Sequence, residues 1–422
     1  MAEHDSIPES RHVAVIGAGI VGLCTALELQ RAGYLVTLYD GLLPGHGASF
    51  GNAGYIATEL IEPLSSLATL RAAPRMLLDP KGPLALPAKH LINVIPWLVK
   101  FIAAAQPCRV ESSRQALASL NGGAVAAWKR CLSDTGGMEH LKRSGYLLLW
   151  ESERRYREAV EKQKFLASRG IHSQLVNRDD IGVLEPDLGE NVSHGLLFND
   201  AYQVSEPFLL CQHLFAVFSQ RGGKFVNRRV TSLGESNGRA EILSDAGKLL
   251  FDYAVVAAGA WSRELLQSTG IDVPLEAERG YHLTLSAEDV QLNRPIGSVE
   301  RKCVLSPLSS GIRIVGITEL GGLSLEPVKH RFNALWHHMK GLLPGLSGKR
   351  GTCQEWMGHR PTLPDSLPVI DRHPLYPRIL LAFGNQHLGL TQAAVTAEVL
   401  TGLLTGNQPQ IDPAPFTVMR FK

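Results

Sequence analysis

Residues 12–40 read HVAVIGAGIVGLCTALELQRAGYLVTLYD. HVAVIG is a short continuous apolar run rich in valine and isoleucine, the pattern of a parallel strand buried on both faces. It leads into Gly17, Gly19 and Gly22, spaced Gly-x-Gly-x-x-Gly with Ile20 and Val21 between the last two. In such a turn the first glycine permits the tight bend, the second admits a pyrophosphate to the backbone, and the third lets helix pack closely on strand. GLCTALELQRAG then reads as a helix whose N-terminal amides and dipole face the phosphates, with Gly33 as its C-cap. YLVTLYD supplies a second strand ending at Asp40, where an acid accepts hydrogen bonds from ribose hydroxyls and repels a 2′-phosphate. This strand–turn–helix–strand context predicts an adenine dinucleotide site and argues against NADP. The motif alone does not separate FAD from NAD.

Length and charge narrow the rest. At 422 residues the chain is long enough for two or more cores, since domains run on the order of 100 to 200 residues. Its 42 Lys and Arg balance 40 Asp and Glu, so there is no basic excess to neutralise a nucleic-acid backbone. A small ligand is the expected partner. The cysteines at 24, 108, 131, 211, 303 and 353 form no Cys-x-x-Cys pair and no zinc spacing, so no metal is expected and buried reduced thiols of a cytoplasmic protein are. The N-terminal MAEHDSIPESR lacks the charged start and apolar middle of a signal peptide. HLINVIPWLVKFIAAAQP (90–107) contains Pro96 and Lys100 and falls short of the ~20 apolar residues of a membrane span. It reads as a packed or interfacial helix, with peripheral attachment to the inner membrane face as the alternative.

Further segments bear on the cofactor. GLLPGHGASFGNAGYIA follows the second strand directly, and its Gly47, Ala48, Ser49, Asn52, Ala53 and Gly54 let backbone and small polar groups crowd a ligand. GGKFVNRRVTSLG (222–234), which includes Val230, and LLFDYAVVAAGAWSREL (249–265) read as strands. The latter is a buried run ending at Ala257, Ala258 and Gly259, small residues past which a cofactor can lie. RILLAFGNQHLGLTQAAVTAEVLTGLLTG (378–406) reads as strand, glycine turn and helix, with Gly384, Leu388, Gly389, Leu390 and Thr391 near a helix N-terminus that can stabilise a reduced flavin's negative charge.

VIGAGIVG, GASFGNAG, VVAAGAWS, WMGHRPTLPDSLPVID and AFGNQHLGLT, in that order, resemble the D-amino-acid oxidase-like superfamily of FAD enzymes, and within it the bacterial D-amino-acid dehydrogenases. The resemblance covers nearly the whole chain. It implies bound FAD and a mixed α/β fold: a Rossmann-like FAD-binding domain from residues 10–63, 190–275 and 352–420, and a substrate domain from 64–189 and 276–351 with an antiparallel sheet and flanking helices. SGYLLLWES (144–152), RGYHLTLS (279–286) and GIRIVGI (311–317) have strand-like composition for that sheet. Residues 64–140 and 326–346 would supply helices.

A flavin can take a hydride directly from the Cα of an amine held against it, so the protein need only bind, orient and exclude water. No serine-centred elbow suggests another mechanism. The resemblance implies that Arg360, in WMGHRP, holds the substrate carboxylate, for which a planar fork making two charge-assisted bonds is suited. Arg279, Arg301 and Arg313 are lesser candidates. Tyr281 and His282 alternate on one strand, so only one of the two can face the substrate. A neutral histidine there can take the proton lost before hydride transfer. His330, His337 and His338 read as a solvated helix face.

Two departures from the family pattern stand out: Gly384-Asn385 replaces Gly-His at the last turn, making His387 a pocket candidate, and Asp371 stands where relatives have glycine. The leading expectation is oxidation of an amino acid, a D-enantiomer foremost, to the imino acid and then to 2-oxo acid and ammonia. Electrons would pass to a quinone or another carrier, or to oxygen. The alternatives are oxidation of a secondary amine such as proline, hydroxyproline or an N-methylglycine, and a flavoprotein subunit of a larger dehydrogenase.

Overall fold

The computed structural model describes residues 11–286, 289–347 and 350–422; the polar segment 1–10 lies outside them. The apolar run at the start of the quoted stretch forms β1 (His12–Ile16) at the centre of a six-stranded sheet. It pairs in parallel with Leu35–Asp40 on one side and Tyr253–Val256 on the other. Lys224–Asn227 and Ile379–Phe383 extend the parallel set outward, and Val369–Arg372 closes one edge antiparallel. Burial on both faces is why β1 is continuously apolar: Val13 and Val15 pack into one core cluster, Ala14 and Ile16 into another. The first cluster holds helix α1 (Ile20–Arg31), the helix Gly389–Thr405 and the long helix Pro107–Thr135, whose Trp128 indole donates to the Leu390 carbonyl. The second lies under a three-stranded sheet, Val230–Ser236, Arg239–Ser244 and Gly247–Phe251.

A nine-stranded sheet stands beside this unit, in the order Gln354–Thr362, Glu276–Leu285, Gly311–Leu320, Cys303–Leu308, Ile296–Ser298, Tyr146–Trp150, His194–Phe198, Gln174–Asn177, with Leu84–Ala85 added on Gly311–Leu320. The three segments expected to be strands are strands. Pairing is antiparallel except at Ile296–Ser298 with Tyr146–Trp150 and at Leu84–Ala85. Helix Lys329–Leu342 covers one face through Phe332, Leu335 and Met339. Its His330 and His338 rings bond to the Pro80 and Lys81 carbonyls, so this face holds a turn as well as meeting solvent. His194–Phe198 and Gln354–Thr362 belong to this sheet, although motif order placed both stretches with the cofactor unit. Pairing register, which runs Glu276–Thr284 against Gln354–Thr362, decides membership.

Of the cysteines, Cys24, Cys211 and Cys303 are buried, whereas Cys108 is exposed; all six are free thiols. Asp371 accepts from the Thr417 hydroxyl at 2.7 Å and the Val418 amide at 2.9 Å, which pins the C-terminal tail to the edge strand. Among the described residues, Gln386–Thr405 alone forms a single unbent helix apolar and long enough for a membrane span, and most of it is buried in the core.

Candidate active site and cofactor cleft

A cavity of about 650 Å³ opens where the carboxyl ends of the parallel strands meet the large sheet. Its dinucleotide end is shaped by missing side chains. Gly17 has φ +112°, and a Cβ there would lie 2.2 Å from the Ala257 carbonyl oxygen; one on Gly22 would lie 1.8 Å from that of Gly17. The Ser49 hydroxyl accepts from the Ile20 amide at 2.9 Å, tying the 47–54 loop to the first turn of α1. Asp40 accepts from the amides of Ala18 (2.7 Å) and Leu42 (2.8 Å). Burial pushes its carboxyl above the ordinary range, and the amides of Ala18, Leu42 and Gly41 pull it back.

Of the residues singled out from sequence, Gly17, Gly19, Ile20, Val21, Asp40, Gly47, Ala48, Ser49, Asn52 and Ala53 line the cavity. So do Val230, Ala258, Gly259, Leu388, Gly389 and Leu390. Gly22, Gly54, Gly384 and Thr391 do not. Gly54 and Gly384 adopt positive φ in the turns that carry the wall, and the Thr391 hydroxyl accepts from the Ala57 amide at 2.9 Å. Their contribution is to backbone position, which a spacing motif cannot tell from ligand contact.

The other end is built from side chains. Arg360 lines the cavity, and its Nη1 donates to Glu278 Oε1 at 2.8 Å, the partner directly opposite in the strand register. Gly280 makes room for it: a Cβ there would sit 2.5 Å from Cζ and 2.7 Å from Nη2. Among the described residues this is the guanidinium's one hydrogen bond, which leaves Nε and Nη2 as donors. Glu278 also accepts from the Thr318 and Thr362 hydroxyls, each at 2.9 Å. Burial raises the Glu278 carboxyl, but Arg360 beside it, His387 and the Thr318 hydroxyl outweigh that and hold it below the ordinary value. His387 also lines the cavity; burial lowers it to about 4, so it is neutral at pH 7.

Of Tyr281 and His282, Tyr281 lines the cavity and His282 does not, and the Tyr281 hydroxyl and the His282 Nδ1 are each engaged by the protein. The Tyr281 hydroxyl donates to Glu319 at 3.1 Å and accepts from the Val328 amide, and its ring packs on Phe332. His282 stacks on Trp356 beside the Gly51 carbonyl, off the cavity wall, and burial lowers it to about 3. The lesser arginines are committed elsewhere. Arg279 is fully buried against Glu319 at 2.8 Å, and Arg301 grips Glu151 with two bonds of 2.6 Å. Arg313 donates to Glu206 and to the carbonyls of Phe50 (3.3 Å) and Asn52 (2.7 Å).

Sequence reasoning missed Trp356, Trp261 and Gln386, all on the wall. Trp356 fits only because Gly51 and Gly358 lack a Cβ, which would fall 1.9 and 2.0 Å from its ring. Gln386 holds φ +50°, and its buried Nε2 has no partner among the described residues. Asn385 donates to Gln392 at 3.0 Å, which donates to Asn121 at 3.0 Å, which donates to the Leu60 carbonyl at 2.8 Å. The Asn385 departure thus serves a buried amide chain joining two walls of the cleft. Among the described residues, one group of three possible metal donors occurs, Glu139, His140 and His213, and none of them lines the cavity.

A family model described as FAD dependent oxidoreductase (DAO) matches residues 12–403. The chain is 33% identical over 421 residues to a D-amino-acid oxidase of Bradyrhizobium diazoefficiens, covering 98% of this chain and all of that one. It is 28% identical to a D-amino acid dehydrogenase of Rhizobium rhizogenes, over 97% of this chain and 99% of the other. Among solved structures it is similar to glycine oxidase from Geobacillus kaustophilus, with TM-score 0.75 and 18% identity over 97% and 99% of the two chains. It is also similar to L-proline dehydrogenase from P. horikoshii, with TM-score 0.74 and 18% identity over 98% of each chain. With its cavity running from the glycine turn to the Arg360–Glu278 ion pair, the chain belongs to the DAO family of FAD-dependent oxidoreductases.

Proposed function

We propose that this chain oxidises an amino acid, a D-enantiomer foremost, to the imino acid, which water hydrolyses to a 2-oxo acid and ammonia. The observation that carries the reading is Arg360, fixed over Gly280 by Glu278 with two donor nitrogens left unpaired at the cavity wall. A planar guanidinium so held matches a carboxylate and orients the neighbouring Cα. The near relatives support the amino-acid class, being a D-amino-acid oxidase and D-amino acid dehydrogenases by name.

The cradle fits FAD. Gly17 permits the tight turn against Ala257, Gly19 leaves the backbone open to phosphates, Asp40 stands at the ribose position, and the cavity continues past Ala258 and Gly389 toward Arg360. When bound, FAD supplies an acceptor for the Cα hydride. The chain's residues do the remainder: Arg360 binds and orients, while Trp356, Leu390 and their neighbours exclude water. An anaerobic screen of D- and L-amino acids, proline derivatives and N-methyl amino acids for flavin bleaching tests this. D-amino acids should bleach fastest, and preference for a secondary amine would move the reading to that class.

For the electron acceptor, we infer a quinone at a membrane surface. Supporting this, Ile92, Ile95, Val99 and Ile102 stand exposed along one face of helix Leu91–Ala104, Ile92 at 81%, while Val94 and Trp97 face inward. Exposed Lys89 and Lys100, just before and within this helix, add charge suited to anionic lipid. Turnover should be faster with a quinone analogue than with dissolved oxygen, and the protein should sediment with anionic vesicles. Rapid stoichiometric hydrogen peroxide release would make it an oxidase.

A further inference from the structure

The substrate's ammonium group must lose a proton before its Cα can give up a hydride, and the histidines at or near the cavity are weak acceptors. His387 and His282 are held neutral far below pH 7 by burial, and burial, with Arg279 nearby, also lowers His359 on the wall. Another group is better placed. Tyr55 lines the cavity, and its hydroxyl donates to Oε2 of Glu59, a residue 95% buried just behind the wall formed by Ala57 and Leu60. Glu59 Oε1 has no partner among the described residues. The Tyr55 ring stacks on Tyr146 at 4.2 Å, which fixes its direction. The titratable and charged groups facing Glu59 are Tyr55 from its own segment, Tyr146 from strand Tyr146–Trp150 and Lys162 from helix Tyr156–Ala167. A carboxyl buried beside a cavity without a bonded cation is costly to keep for packing alone.

We propose that Tyr55 and Glu59 form a proton path that takes the ammonium proton of the bound substrate. An N–H bond breaks as an O–H forms on Tyr55, whose own O–H proton passes to Glu59. The amine keeps its lone pair, and no oxidant enters the step. The path rests on the amino-acid reading above. Burial raises Glu59 to about 7, which suits a group that must accept and release protons near neutrality.

The test uses the full-length holoenzyme, wild type beside Glu59→Gln and Tyr55→Phe. Below about pH 7, wild-type anaerobic flavin reduction should slow by about tenfold per pH unit as Glu59 protonates. Both variants should lose that limb and reduce flavin about 10²-fold more slowly at the plateau, with FAD content unchanged. An infrared carbonyl band of a protonated carboxylic acid, vanishing as pH rises through about 7 and missing in Glu59→Gln, reports the group without substrate. An unchanged limb in Glu59→Gln overturns the path and leaves the amino-acid reading standing. Failure of every amino acid to bleach the flavin, with the infrared band present, overturns both.

Discussion

At the Gly17–Asp40 end of the cleft the chain offers backbone amides and absent Cβ atoms; at the Arg360 end it offers charged side chains held in sheet strands. The turn, the helix start and Asp40 at the first belong to one strand–turn–helix unit whose spacing shows in the sequence, and Ala257 and Ser49 close on it from other segments. At the second, Arg360 depends on Glu278, 82 positions away, through a strand register that no spacing records. Added volume at Gly17 or Gly22 therefore meets rigid backbone, whereas at Gly280 it meets the movable end of a side chain that cannot lose its charge partner.

The largest effect should come from adding volume at the first end. Gly22→Val drives side-chain atoms into the Gly17 carbonyl, and overpacking there costs about 3 kcal/mol or more. Flavin content after purification should fall to near zero and the melting temperature should drop; a yellow, stable variant would break the contrast. Next, Arg360→Ala should lower kcat/KM by about 10² to 10³-fold, on the order of 3 to 4 kcal/mol, with flavin content near wild type. Arg360→Lys should rescue only partly, because a point charge cannot replace the fork. With its cation gone, Glu278 titrates higher, so Arg360→Ala should also lose stability at pH 7.

A pH effect separates Glu59 from both ends. Its folded value of about 7 lies above the ordinary carboxyl value, so the folded state binds the extra proton between the two and stability falls as pH rises through that window. Glu59→Gln should therefore raise the melting temperature at pH 8, by relief of about 3 kcal/mol, and hardly at all near pH 4. Gly280→Ala tests whether the second end tolerates volume: the guanidinium must shift, and KM should rise about tenfold with little loss of fold. Smallest, Asp371→Ala releases the Thr417–Val418 tail, costing about 1 kcal/mol on a thermal melt and leaving kinetics unchanged.

The same contrast sets what the sequence discloses. The glycine turn, Asp40, the small-residue strand end and the helix starting at Gly389 are local features, and the structure brings them to one cavity wall. Tyr281 and His282 were legible as an alternating pair, but not their commitments, since Glu319 and Gly51 reach them from other elements. Trp356 left one signal that could have found it, a bulky ring two positions before Gly358. Its seat beside Gly51 lay out of reach, because that glycine is 305 positions away. Gln354–Thr362 joins the large sheet rather than the parallel one because a strand goes where its register partner is, which the order of motifs does not record.

Arg313 ties these two ends into one thermodynamic unit. Rooted in the large sheet, it holds two carbonyls of the loop that borders the flavin cradle, with Glu206 balancing its charge. Free energy gained when the cradle fills is therefore shared with the sheet that carries Arg360. Calorimetry of the holoprotein should show one cooperative transition, and adding flavin to apoprotein should slow amide exchange in Gly311–Leu320 as well as in α1.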